Sequence, residues 1–216
     1  MNLEEREMRM EYYPVHLQLQ GKKAVMIGGG KVAERKIEGL LAAGAEVTVI
    51  SPALTERLHG FVREERVIWK EKLFTSEDIE SAFLIIAATN DEEVNLTVKK
   101  AASHNQLLSL SDNPEESTFI LPSVIRKGKL MITVSTSGAS PILAKKIKQE
   151  IDEQYGSEYV GYVDFLFETR QWILEKIKDP NEKQQLLTAI TEENFLHSNN
   201  REKDFDDLVA QLWKDK

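Results

Sequence analysis

Ala24-Val25-Met26-Ile27-Gly28-Gly29-Gly30-Lys31-Val32-Ala33 decides how the rest of the chain is read. A short apolar run reads as a buried strand, three glycines follow, and a helical pattern starts directly after them. The glycines and Ala33 match G-x-G-x-x-A, the loop that turns a strand sharply into a helix beside a pyrophosphate. Gly28 is expected to make the tight turn. Gly30 lets backbone N–H groups approach phosphate oxygens with no Cβ in the way, and Ala33 lets the helix pack closely on the strand. The helix N-terminus then turns its positive dipole end to the phosphates. A lone glycine motif is a weak signal, so its surroundings must decide.

Outward from the loop, the chain alternates. The helix runs to about Ala43, with Val32, Ala33, Ile37, Leu40 and Leu41 near helical spacing and Gly44 just past its end. Glu46-Val47-Thr48-Val49-Ile50 is a second strand ending at Ser51-Pro52, which completes a βαβ unit, the context the motif needs. Then come a short helix over 54–60, a strand over 67–70 and a short helix over 76–81. Residues 82–89 are continuously apolar up to Thr89, as suits a central parallel strand covered on both faces. Asn90-Asp91 caps a helix reaching about His104, and 107–111 is a fifth strand. Such alternation predicts an open parallel sheet that binds its ligand at the carboxyl ends of the strands. Thr89-Asn90 and Ser111-Asp112-Asn113 stand at two of those ends.

The alternation then stops. Residues 118–125 and 130–135 are β-rich, and Arg126-Lys127-Gly128-Lys129 joins them as a hairpin. Two strands are too few to fold alone, which suggests a small interface module. Ser140 is a good N-cap and Pro141 suits the first helical position. The helix that follows is expected to turn Ile142, Leu143, Ile147 and Ile151 inward and Lys145, Lys146 and Lys148 largely outward. Beyond Gly156 the chain reads as helical over 159–178, 182–190 and 203–213, with a break at Asp179-Pro180-Asn181. Phe165, Phe167, Trp172, Phe195, Phe205 and Trp213 are expected in its core. The fold class expected is α/β. A Rossmann-type domain spans 11–117, a hairpin-plus-helix dimerisation region 118–150, and a helical C-terminal domain 151–216. Residues 1–10 are expected as a polar, disordered lead, with Met10 an alternative start.

Composition narrows the function. Of 216 residues 41% are hydrophobic, enough for a core, and a formal net charge of −8 argues against non-specific nucleic-acid binding. There is no cysteine, so disulfides, thiolate metal sites and cysteine nucleophiles are excluded together. His16, His59, His104 and His197 are scattered without metal-ligand spacing, and no metal site is expected. The longest apolar run, 82–89, is far too short to span a bilayer, and the first residues have no signal-peptide core. A soluble, cytoplasmic protein without a membrane partner is the expectation.

Three stretches carry chemistry. The position that often holds an acid for the ribose 2′-OH is Ile50-Ser51-Pro52 here, with no carboxylate. NADP with Arg57 near the 2′-phosphate is one reading; NAD held by Ser51 and backbone groups is the other, with Arg57 a solvated helix residue. Asp112, at the end of a buried strand beside the crevice, is placed to accept a proton as hydride leaves a substrate; Asp and Asn before Pro114 also suit a plain turn. Ser135-Thr136-Ser137-Gly138-Ala139-Ser140 gathers hydroxyls ahead of a helix N-terminus, which suits a carboxylate or phosphate. Ordinary capping explains Ser140 there but not the other hydroxyls.

Five motifs occur together in order. They are Gly28-Gly29-Gly30-Lys31-Val32-Ala33-Glu34-Arg35-Lys36, Ala87-Ala88-Thr89-Asn90-Asp91, Asp112-Asn113-Pro114, Phe119-Ile120-Leu121-Pro122-Ser123 and Ser135-Thr136-Ser137-Gly138-Ala139-Ser140-Pro141. As a set they resemble the precorrin-2 dehydrogenase family, the dehydrogenase module of siroheme synthases, over roughly residues 11–155. The resemblance implies NAD-dependent oxidation of precorrin-2 to sirohydrochlorin in a homodimer. It places the family's aspartate on Asp112 and cofactor contacts on Gly28, Gly30, Lys31, Val32, Ser51, Pro52, Thr89 and Asn90. Substrate carboxylates would meet Ser135, Thr136, Ser137, Gly138 and Lys145, with Arg126 and Lys127 nearby. Thr136 stands where some members have a functional serine. Two other functions are weighed: a bifunctional enzyme that also inserts Fe²⁺, and a non-catalytic NAD(P)-binding sensor, which would need neither Asp112 nor the hydroxyl loop.

Overall fold

The computed structural model describes residues 12–214, so the lead expected over 1–10 lies outside the described residues. The chain divides into two compact units that part after Leu121.

In the first unit, five strands form one parallel sheet: β1 Lys23–Ile27, β2 Glu46–Ile50, β3 Val67–Lys70, β4 Leu84–Ala87 and β5 Leu107–Leu110. Their order is β3-β2-β1-β4-β5, so the chain reverses direction across the sheet between β1 and β4. Helices α1 Lys31–Ala42, α2 Glu56–Arg63 and α3 Glu92–Ala101 connect β1 to β2, β2 to β3 and β4 to β5. Successive strand residues point to opposite faces, and both faces are covered. Met26, Val47, Val49 and Ile86 pack with Ala33, Ile37 and Leu40 of α1 and with Leu58 and Phe61 of α2. Val25, Ile27, Ile85 and Leu108 pack with Ile79 and with Val98 of α3. This two-sided burial is why β4 reads as unbroken apolar sequence.

The expected 76–81 helix is a single 3-10 turn, Ser76–Ile79, closed by a capping box in which Thr75 and Asp78 bind each other's backbone N–H groups. The β-rich stretch from 118 does not pair as a strand until Ser123. Instead, Thr118 N–H donates to Leu108 O (2.8 Å), and Leu108 N–H donates to Thr118 Oγ1 (2.8 Å). Thr118 thus pairs with Leu108 through both backbone and side chain, and Ser117 Oγ accepts from Leu110 N–H (2.9 Å) further along the same edge of β5.

In the second unit, β6 Ser123–Lys127 and β7 Leu130–Val134 form an antiparallel hairpin whose turn uses Gly128 at φ +57°. Helices α4 Pro141–Gln154, α5 Glu158–Lys176, α6 Pro180–Ala189, α7 Glu193–Leu196 and α8 Arg201–Lys214 follow. Ser140 caps α4 by accepting from Leu143 N–H (3.2 Å), and Asp179 caps α6 by accepting from Asn181 and Glu182 N–H groups. Tyr162, Ile173, Leu186, Ile190, Phe195, Phe205 and Val209 build the helical core, into which the Tyr162 hydroxyl donates to Ile190 O (3.0 Å).

Two expectations about burial need correction. Helix α4 packs on the hairpin, but two strands cover only a narrow stripe of it. Ala144 is the residue buried there, while Ile142 is 83% and Leu143 47% exposed. Phe167 and Trp213 likewise stay about half exposed, the former beneath the Lys129 ammonium 4.6 Å from its ring centroid.

Candidate active site

The glycine loop leaves β1 with Gly28 at φ +111°, a conformation costly to any residue with a Cβ. A Cβ at Gly28 would also lie 2.5 Å from Ala88 O, at the end of neighbouring β4. Gly28 N–H donates to Ile50 O (3.0 Å), which ties the turn to the end of β2. Gly29 is pressed from the other side: a Cβ there would overlap Ala53 O and come within 2.9 Å of Ser51 Oγ. Its carbonyl accepts from Thr55 N–H (3.0 Å). Gly30 differs from both, because it opens onto empty space and caps α1 with no side chain bonded to the helix N–H groups. Unpaired helix donors facing open space fit a dinucleotide pyrophosphate. Ala33 is fully buried against the sheet, as its place in the motif requires. Lys31 and Val32 are exposed on the first turn of α1.

The loop after β2 holds Ser51 and Pro52, the second region expected to meet the cofactor. Ser51 is buried, its Oγ donating to Ala53 O (2.7 Å) and its carbonyl accepting from Trp69 Nε1 (2.9 Å), while Pro52 is exposed. Arg57 sits on α2 with its guanidinium ion-paired to Glu38 and 4.0 Å from Glu34, both on α1. Thr55 donates from Oγ1 to Glu34 (2.6 Å), so this face of α1 is acidic and fully engaged.

At the other side of the crevice, three residues from three elements meet. Asn95, on the inward face of α3, is 2% exposed. Its Nδ2 donates to Asp112 Oδ2 (2.7 Å), beyond β5, and to Thr89 O (3.3 Å), beyond β4. Its Oδ1 accepts from Thr89 Oγ1 (2.9 Å). Asp112 itself is exposed, as is Asn90. The β1-β4-β5 order sets Asp112 two strands from the glycine loop, about 10 Å at ordinary strand spacing. Glycine pattern alone had not marked Gly29, and nothing in sequence spacing marked Asn95. A hydrophilic residue sharing a helix face with buried Val98 was the only available signal.

The hydroxyl loop lies in the second unit. Thr136 Oγ1 donates to Ser140 O (3.0 Å) and accepts from Ser140 N–H (3.1 Å), and Ser135 Oγ accepts from Ser137 N–H (3.1 Å). Local turn bonding therefore engages Ser135 and Thr136 as well as Ser140. Ser137 and Gly138 take positive φ (+50° and +87°) and are exposed, as is Lys145. Lys127 pairs with Asp152 (2.8 Å). Among the described residues, no group of three or more His, Asp or Glu side chains could hold a metal, and no helix is long and apolar enough to cross a membrane.

Comparison with known proteins agrees with this geometry. An NAD(P)-binding family model matches residues 15–123. A precorrin-2 dehydrogenase from Priestia megaterium is 32% identical over 193 residues, covering 89% of this chain and 96% of that protein. The chain belongs to the precorrin-2 dehydrogenase family. The family's "Sirohaem biosynthesis protein central" and "SirC C-terminal domain" models match residues 127–154 and 159–205. A precorrin-2 dehydrogenase from Bacillus subtilis is 32% identical, covering 73% of this chain and 98% of its own. The solved structure of SirC, precorrin-2 dehydrogenase, superposes with a TM-score of 0.80 at 31% identity, over 93% of this chain and all of that one. The siroheme synthase of Mannheimia succiniciproducens is 30% identical over 95% of this chain, which spans 44% of that longer protein. Membership accounts for the parallel sheet, the hairpin and the helical C-terminal region together.

Proposed function

We propose that this chain oxidises precorrin-2 to sirohydrochlorin with NAD as the hydride acceptor, and that Asp112 is its proton acceptor. The observation that carries the reading is the arrangement along one sheet edge. An open helix N-terminus at Gly30 suits the pyrophosphate, and an oriented carboxylate two strands away suits the reacting end. Binding of the cofactor is assigned to Gly28, Gly30, Lys31, Val32, Ser51, Pro52, Thr89 and Asn90.

A bound oxidised nicotinamide supplies the acceptor for hydride. Asp112 takes the proton released from the substrate, while the electron pair of that broken bond stays in the macrocycle as new conjugation. Oδ2 is engaged by Asn95, which leaves Oδ1 to receive the proton. The substrate's peripheral carboxylates are assigned to Ser135, Thr136, Ser137, Gly138 and Lys145, of which Ser135, Ser137, Gly138 and Lys145 are exposed and suit anions.

The reading of NAD rather than NADP is supported by Arg57. The cation that would meet a 2′-phosphate is already paired with Glu38 and faces Glu34, so a further dianion there meets net negative charge. The homodimer reading is supported by Ile142, Leu143 and Val124, apolar side chains of the hairpin-and-helix module over 118–150 that are exposed among the described residues.

The test is an anaerobic assay of precorrin-2 with NAD⁺, following NADH and sirohydrochlorin absorbance and then adding Fe²⁺. NAD⁺-dependent sirohydrochlorin, with metal insertion no faster than the blank, is expected. Enzyme-dependent siroheme would make the protein bifunctional, and no turnover despite NAD binding would make it a sensor. Asp112→Asn should lower kcat by about 10²-fold, the usual scale for a lost general base.

A further inference from the structure

We propose that Asn95 is the positioning residue that sets Asp112 in its proton-accepting orientation; the inference rests on the assignment of Asp112 as base.

The argument starts from where Asn95 lies. Helix α3 turns Asn95 and Val98 toward the sheet, and both are almost fully buried. Burial alone favours an apolar residue at such a position, because a buried carboxamide costs free energy wherever one of its polar atoms lacks a partner. Asn95 lacks none. Both Nδ2 hydrogens are donated, to Asp112 Oδ2 and to Thr89 O, and Oδ1 accepts from Thr89 Oγ1. The amide cannot rotate by 180° without setting its oxygen against the Asp112 carboxylate, so one orientation is fixed.

The bond satisfies a buried donor of Asn95, but Asp112 itself has no structural need of it. Asp112 is exposed, and water would solvate its carboxylate without help. Gln106 shows the contrast: it too is buried, but its Nε2 donates to the backbone carbonyls of Ile79 and Ala82, which no solvent reaches. What Asn95 adds at Asp112 is restriction. A solvated aspartate samples several rotamers; one held at Oδ2 from a buried, immobile helix face keeps its second oxygen on a fixed line. The same amide donates to Thr89 O, a bond that anchors the Asn95 side chain itself.

The experiment compares Asn95→Leu, which keeps the volume and suits a buried helix face, with Asp112→Ala and the double variant. For each, kcat, the KM for precorrin-2, the Kd for NAD⁺ and Tm are measured. Asn95→Leu should lower kcat about 10-fold or more, the scale of a misplaced base, with KM and Kd unchanged within about twofold. In the Asp112→Ala background it should cost nothing further, because its effect passes through Asp112. An equal loss in both backgrounds would show a general structural role and overturn the proposal, as would wild-type kcat in Asn95→Leu. A wild-type rate in Asp112→Ala overturns the base assignment instead. The bond has its own readout, the two side-chain NH₂ proton resonances of Asn95 in the full-length protein. One should lie well downfield and move upfield in Asp112→Ala; an unchanged pair would overturn the clamp whatever the kinetics show.

Discussion

Gly29 and Gly30 are adjacent and chemically identical, and the structure gives them opposite duties. A Cβ at Gly29 has nowhere to go, with backbone of the 51–54 loop against it, whereas a Cβ at Gly30 would enter open space at an ordinary φ of −87°. Gly29→Ala should therefore lower stability, by about 1–3 kcal/mol as overpacked sites do, and weaken NAD⁺ binding with it. Gly30→Ala should leave Tm within about 2 °C, a sub-kcal/mol change, yet weaken NAD⁺ binding at least about tenfold by filling the phosphate approach. Thermal unfolding and a fluorescence titration on the two variants separate the duties; matching losses in both would remove the distinction. Arg57→Ala should leave the ratio of NAD⁺ to NADP⁺ affinity within about twofold, since the guanidinium is already neutralised by α1. A large fall in NADP⁺ affinity alone would restore Arg57 as a phosphate ligand.

Elements differ in how far they could be read ahead. The bounds of β2 and β3 were legible to the residue, because each is a short run rich in β-branched residues cut off by turn or polar residues. The second helix was expected two residues early, at Leu54, because an apolar residue was taken as its start. Thr55 is the cap, accepting from Leu58 N–H (3.3 Å), so the helix begins at Glu56. Helix α7 is four residues long and shows no period to read. The 3-10 turn after β3 depends on Asp78, whose side chain is 3% exposed and pairs with Lys70 (3.1 Å) and Lys72 (3.0 Å). Burial pushes this carboxyl up, but the Thr75 backbone N–H, Lys72, Lys70 and the Thr75 hydroxyl together outweigh it and hold the carboxyl below its ordinary value. A lowered folded value means stability that is present above about pH 4, the unfolded range, and lost as pH falls through the folded value. Asp78→Asn should lower stability by about 1 kcal/mol at pH 7, with the gap to wild type closing below about pH 4. Urea unfolding at pH 7 and pH 3 checks this, and an equal gap at both would remove the charge from the account.

At the scale of the molecule, the α/β class, the parallel sheet, the hairpin and the helical end were all legible, whereas the site was legible only in part. Asp112 was marked by its place at a strand end, but Asn95 is a lone polar residue on a helix, and only the fold brings it to Asp112. The exposed faces were misjudged for a related reason. With Ile147 and Ile151, Ile142 and Leu143 were read as a core stripe, yet both are exposed among the described residues. The proposed dimer accounts for them. Sedimentation should give twice the 24.6 kDa chain mass, and Ile142→Arg should return it to one chain with α-helical content intact. A wild-type monomer would leave that surface to another partner.

The strand order has a consequence for how the protein is made. Ala24 of the central strand pairs with Val47 on one side but with Leu84 on the other. As the chain leaves the ribosome, β1 and β2 emerge early, while β4 is still to be synthesised. One edge of β1 must then wait with its N–H and C=O groups unpaired. Slow decoding between the emergence of β2 and that of β4 would lengthen the wait, so the speed of synthesis bears on yield even where the finished protein is stable.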